Sequence, residues 1–207
     1  MGEVNFRRKL LMDGGRVILA PLILFFRNKR IYTDGSRGKQ KIRELKGALV
    51  AANHTGFSDP FILNACFWYR RFFYTASEEV MAGFKGKLLT AAGCIKVDRT
   101  AADLKSTKEC AQVMKEGYLL GIFPQGRIGG DGLKSGFILM AAMAGVPIVP
   151  AHIEKRKHFW QRHRVVFGEP MYISDYTSKA LPGKKDMEAI IAAFNRQIDE
   201  CQKCISN

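Results

Sequence analysis

Ala48-Leu49-Val50-Ala51-Ala52 runs straight into Asn53-His54-Thr55-Gly56-Phe57-Ser58-Asp59-Pro60, and the reading of this stretch decides the fold. A short apolar run without a charge reads as a strand. Polar residues and glycine then break it, and Asp59-Pro60 reads as a helix start, with proline at the first helical position where its missing N–H is no loss. The same alternation continues outward along the chain. Strands are predicted over Phe72–Ala76, Cys94–Val97, Tyr118–Phe123, Ile148–Ile153 and Arg164–Phe167. Helices are predicted over Pro60–Tyr69, Ala102–Glu116, Lys134–Ala144 and Asp186–Lys203. Strands alternating with helices give an α/β fold, a central and mostly parallel sheet flanked by helices. In such sheets ligands gather where strands run out into loops. Toward the N-terminus, Gly35-Ser36-Arg37-Gly38-Lys39-Gln40-Lys41 reads as a polar loop. It divides residues 1–34 from a domain of residues 35–207.

A chain of 207 residues suits one substantial domain. With 47% hydrophobic and 25% charged residues it can bury a core, which excludes wholesale disorder and fibrous architecture. Lys and Arg total 33 against 19 Asp and Glu, a net charge of +14. That excess points to an anionic partner: nucleic acid, an acidic membrane, a phosphorylated metabolite or an acidic carrier protein. Nucleic acid drops out, because no RNA-binding or zinc-finger motif is present and the basic residues are scattered among apolar segments. The five cysteines form no disulfide framework, which points to a reducing, cytosolic setting. Cys201-x-x-Cys204 lacks the second Cys or His pair that a metal site needs, so no metal is expected.

Residues Val17–Phe26 read VILAPLILFF between Arg16 and the cluster Arg27, Lys29 and Arg30. Ten residues fall short of the roughly 20 a membrane-crossing helix requires. Asp13 and the lack of a small-residue cleavage pattern argue against a signal peptide. The first 50 residues hold 12 Lys or Arg and 4 Asp or Glu. This favours an interfacial segment, apolar residues in the acyl boundary and basic flanks among anionic headgroups. A core helix with basic caps is the other reading.

Three strand ends carry residues suited to chemistry. After Ala52, the turn allowed by Gly56 and Ser58 can return the Asp59 carboxylate to the His54 imidazole. Asp59 then fixes the tautomer and His54 takes a proton as a general base. The same residues also fit a bare helix N-cap and a polar loop. In Gly93-Cys94-Ile95-Lys96-Val97-Asp98-Arg99, Lys96 and Arg99 emerge where a strand meets solvent, a place to hold phosphate. In Ile122-Phe123-Pro124-Gln125-Gly126-Arg127-Ile128-Gly129-Gly130-Asp131-Gly132, glycines beside Arg127 let backbone N–H groups approach an anion. A flexible surface loop is the alternative, and Lys134 beyond it can add charge. Val146-Pro147-Ile148-Val149-Pro150 reads as a wall of the same cleft.

In order and together, these runs resemble the glycerolipid acyltransferase family, the 1-acylglycerol-3-phosphate (lysophosphatidate) acyltransferases in particular. The family's N-H-x4-D block matches Asn53, His54 and Asp59, and its G-x-I-x-V-D-R block matches Gly93 through Arg99. Its F-P-E-G block matches Phe123, Pro124 and Gly126, and its V-P-I-V-P block Val146 through Pro150. The resemblance implies His54 and Asp59 as catalytic residues, with the acceptor phosphate on Lys96, Arg99, Gln125, Gly126 and Arg127. It further implies Asn53 and backbone N–H groups of the first loop at the oxyanion, and an N-terminal segment docked on an anionic membrane surface at the cytoplasmic face. The donor is acyl-CoA or acyl-carrier protein, the acceptor lysophosphatidate, and no cofactor is called for. Two departures bear on the headgroup: Gln125 stands where the family carries glutamate, and Arg127-Ile128-Gly129 where threonine-arginine-serine is common. Another lysophospholipid or an aminolipid is therefore the alternative acceptor, and a catalytically silent membrane-binding relative the third reading.

Overall fold

The computed structural model describes residues 9–14, 29–98, 104–126, 133–155, 158 and 161–206. Among them are strands β1 (Lys29–Tyr32), β2 (Ala48–Ala52), β3 (Phe72–Ser77), β4 (Cys94–Val97), β5 (Leu119–Ile122), β6 (Ile148–Ile153) and β7 (Arg164–Phe167). The helices are α1 (Gly35–Glu44), α2 (Asp59–Cys66), α3 (Gly83–Ala91), α4 (Leu104–Lys115), α5 (Gly136–Ala144) and α6 (Lys184–Ser206). The strands form one sheet in the order β1-β7-β6-β2-β5-β3-β4. Strands β6, β2, β5, β3 and β4 run parallel, whereas β7 is antiparallel to β6 and parallel to β1.

β2 is central and all five of its residues are buried. Successive side chains leave a strand on opposite faces. Leu49 and Ala51 therefore join a core with α4, α5 and α6, while Ala48, Val50 and Ala52 join one with α1 and α2. A strand covered on both sides needs an unbroken apolar run, which is what residues 48–52 supply. Gly47, just before it, lies against α4. A Cβ there would run into the Met114 carbonyl, 3.1 Å from its carbon. Gly47→Ala is expected to destabilise the protein by about 1–3 kcal/mol, read as a lower urea midpoint at unchanged slope.

The expected fold class holds, and the sheet adds elements that the pattern concealed. Residues 35–41 are not a loop. They belong to α1, whose ten residues contain a single large apolar side chain, Ile42, buried against the sheet. Its other positions are polar, glycine or basic, so no helical period shows. β1 is hidden for a related reason, since Lys29 and Arg30 are exposed at the sheet edge and Arg30 reaches the Cys66 carbonyl at 3.0 Å. It lies within residues 1–34, so the sheet takes up the end of that segment. α3 combines two glycines with two lysines and escapes the same way. The apolar run Val17–Phe26 lies outside the described residues. Among the described residues, no helix is long and apolar enough to cross a membrane, and no group of His, Cys, Asp and Glu is placed to hold a metal.

Candidate active site

The C-terminal ends of the parallel strands share one rim, and the loop after β2 stands at its middle. Asn53 pins that loop to the neighbouring strand. Its Nδ2 donates to the Ile153 carbonyl at 3.0 Å, and its Oδ1 accepts from the Ile153 N–H at 2.7 Å. His54 follows, and its backbone N–H donates to Gln125 Oε1 at 3.0 Å. The loop then turns over Thr55–Ser58 and enters α2 at Asp59-Pro60, where the Tyr74 hydroxyl donates to the Pro60 carbonyl at 2.6 Å.

That turn brings His54 Nδ1 within 2.8 Å of Asp59 Oδ2. The carboxylate is fully buried and the imidazole 16% exposed. Asp59 also accepts from Thr55 N at 2.6 Å, Gly56 N at 2.9 Å and Thr55 Oγ1 at 2.8 Å. Burial alone would push its carboxyl up. The bonds from His54, Gly56 and Thr55 outweigh burial and hold it below the usual range. An ionised carboxylate only accepts, so the proton between the two groups resides on Nδ1. Nε2 is left with its lone pair, the arrangement a general base requires. Phe123 stacks on the ring, centroids 4.3 Å apart and planes 17° from parallel, and fixes its orientation.

Gln125 reaches this loop from the turn after β5. Gly126 follows at φ +74°, a left-handed conformation that a side chain would strain. The Lys134 side chain lies alongside, with its Cε 3.5 Å from where a Cβ of Gly126 would stand. Lys134 N also donates to the Pro124 carbonyl at 3.1 Å. An ammonium group thus borders the turn that holds His54 in place. Gln125→Ala is expected to lower turnover about 10–100-fold by loosening the His54 backbone. Gln125→Glu retains an acceptor and most of the activity, and steady-state kinetics on the two variants separates positioning from charge.

The structure joins His54, Asp59, Gln125 and Gly126, and it sets Lys96 apart. Lys96 lies on β4, three strands from β2, about 14 Å at ordinary strand spacing, and its Nζ is 2.5 Å from Glu78. Arg99 and Arg127 lie outside the described residues. Of the backbone N–H groups expected at the oxyanion, that of His54 donates to Gln125 and those of Thr55 and Gly56 donate to Asp59. Asn53 is likewise engaged with Ile153, and its place is that of a strap at the strand end. Phe123 and Thr55 carry no sequence signal as supports. Phe123 reads as the end of a strand and the start of the F-P-E-G block, with nothing to say that it stacks on His54, and Thr55 reads only as part of a turn.

The Bacillus subtilis (strain 168) 1-acyl-sn-glycerol-3-phosphate acyltransferase is 27% identical over 172 residues, 79% of this chain and 85% of that protein. The protein of the same name from Borreliella burgdorferi is 27% identical over 146 residues, 66% of this chain and 56% of its own length. Among solved structures, the chain is similar to the 1-acyl-sn-glycerophosphate (LPA) acyltransferase PlsC from Thermotoga maritima. The TM-score is 0.61 at 16% identity, over 94% of this chain and 81% of that one, and the likeness is one of fold. The model of the family described as Acyltransferase matches residues 36–154. That span takes in the histidine loop, β5 and the Gln125 turn together, and the chain therefore belongs to this family of enzymes.

Proposed function

We propose that this protein transfers an acyl group from an acyl thioester, acyl-CoA or acyl-carrier protein, to the sn-2 hydroxyl of 1-acyl-glycerol-3-phosphate, making phosphatidic acid. The observation that carries this reading is the 2.8 Å contact of His54 Nδ1 with a buried Asp59. His54 Nε2 removes the hydroxyl proton as the oxygen attacks the thioester carbonyl carbon. The tetrahedral intermediate collapses with cleavage of the C–S bond, and the imidazolium returns the proton to the departing thiolate. No acyl-enzyme is needed, because the donor is already activated, and no cofactor beyond that co-substrate is invoked. The acceptor phosphate is assigned to the Gly126 turn with Lys134 beside it and, on the resemblance, to Arg127 and Arg99. Lys96 contributes only to the surrounding field.

The proposed acceptor is a lipid and the chain carries +14, which supports an anionic membrane surface as partner, at the cytoplasmic face, with the protein held peripherally or monotopically. Val17–Phe26, the apolar run before β1, is the stretch proposed to lie in that interface. Gln125, neutral where relatives carry glutamate, favours a second reading in which the acceptor is another lysophospholipid or an aminolipid. The test is acyl transfer by the purified protein to lysophosphatidate and to lysophosphatidylethanolamine, each with both donors and with the product identified by mass spectrometry. Transfer confined to the ethanolamine lipid selects the second reading, and transfer to no lysolipid ends both.

A further inference from the structure

Tyr74 on β3 is buried, and its ring leans across the neighbouring strand. β5 separates β3 from β2, and Tyr74, Gly121 and Val50 stand side by side across the three strands. A Cβ on Gly121 would lie 2.8 Å from Tyr74 Cε1 and 2.5 Å from Phe72 Cε1, so the bare glycine makes room for both rings. Phe72 stacks on the tyrosine, centroids 4.8 Å apart. From there the phenol reaches the first turn of α2 and donates to the Pro60 carbonyl at 2.6 Å. The layer around it, with Val50, Ala52, Ile62, Leu63 and Phe72, is apolar. A phenylalanine would fill that space equally, and a hydroxyl buried there is costly unless it is bonded. Burial pushes the phenol well above its ordinary value, so it keeps its proton and donates.

We propose that Tyr74 is a positioning residue of the His54–Asp59 pair: bonded to Pro60, it sets the adjacent Asp59 carboxylate against the imidazole, and Gly121 gives it clearance. The inference deepens the general-base reading above and rests on it. The first turn of α2 is not held by a cap of its own. Its N-cap residue Ser58 makes no side-chain capping bond, and Pro60 has no N–H. The Asp59 carboxylate is turned back onto His54, Thr55 and Gly56. The bond from Tyr74 therefore ties that turn to the sheet. His54 is tied to the same sheet from the other side, through Gln125 at the end of β5 and Asn53 at the end of β2. With both partners anchored to neighbouring strands, the spacing of the strands sets the 2.8 Å between them. A small shift of the α2 turn lengthens that contact first.

The test compares the full-length protein with Tyr74→Phe, which keeps the ring and removes the hydroxyl, and with Gly121→Ala, which crowds the ring. Phe194→Leu, a core change beside Phe137 on the opposite face of the sheet, controls for lost stability, and thermal unfolding verifies each fold. Turnover of Tyr74→Phe in acyl transfer to lysophosphatidate is expected to fall about tenfold, with KM for the donor unchanged. Long-range proton–nitrogen NMR spectra, assigned with His54→Ala, show a protonated Nδ1 and a bare Nε2 in the wild type. In Tyr74→Phe and Gly121→Ala the two nitrogen shifts move toward each other as the tautomers mix. Phe194→Leu leaves turnover and shifts at their wild-type values. Unchanged nitrogen shifts in either Tyr74→Phe or Gly121→Ala overturn the proposal, and so does Phe194→Leu moving them as far. If the shifts move while transfer does not, Tyr74 positions the pair and the general-base reading fails. If the wild type transfers to no lysolipid, the acceptor reading fails, and the nitrogen shifts still decide whether Tyr74 holds the pair.

Discussion

Acyl transfer by His54→Ala is expected to be about 10²–10⁴-fold slower than by the unaltered enzyme. The imidazole is the group at the rim whose free nitrogen is set up to take a proton, because Asp59 holds Nδ1–H at 2.8 Å and Phe123 fixes the ring plane. Alanine removes the base and leaves the backbone bond to Gln125 in place, since that bond uses the His54 main-chain N–H. The loss therefore falls on turnover more than on the apparent affinity for the acyl donor. Initial rates with purified protein, beside thermal unfolding to show an intact fold, make the measurement. Near-normal transfer by this variant would end the general-base mechanism.

Asp59→Asn is the second large effect, a fall in turnover on the order of 10³–10⁴-fold. An asparagine amide facing Nδ1 can donate, which lets the proton move to Nε2 and deprives the ring of its basic side. Asp59→Ala adds a structural loss, because the N–H groups of Thr55 and Gly56 then lose their acceptor, at about 1–3 kcal/mol for each group left buried and unpaired. The carboxyl also has a pH signature. Its folded value is held below that of an ordinary aspartate, so its bonds stabilise the protein at pH values above the ordinary one. The contribution is lost as pH falls through the lower folded value. Wild-type stability should accordingly drop more steeply on acidification in that range than that of Asp59→Asn, followed by urea unfolding at a series of pH values.

Most of the sheet is legible from residue order alone, because its inner strands are apolar runs closed by turn residues. β2, β4, β6 and β7 begin and end where the pattern places them. What escapes is the part whose stability comes from a few tertiary contacts. α1 is held by Ile42, and β1 is an edge strand opened by two basic residues. In the site, the pairing of His54 with Asp59 is readable from a glycine-containing turn between them. The tie from Gln125 to the His54 backbone is not, since it spans 71 positions of sequence and joins two strands that only the fold makes neighbours. The commitment of the loop amides to Asp59 is equally silent, because any turn of that length offers free N–H groups until its conformation is known.

Apart from the imidazole itself, the groups that bind the Asp59 carboxylate come from the two residues after His54. The proposed base and its partner thus belong to a cassette of six consecutive residues, whereas the neighbouring Gly126 turn follows a different strand. If the acceptor headgroup sits at the Gly126 turn as proposed, replacements around Gly126 and Lys134 retune which headgroup is accepted while Asp59 still fixes the His54 tautomer. A library varied only at that turn should yield altered acceptor choice on an unchanged proton-transfer step.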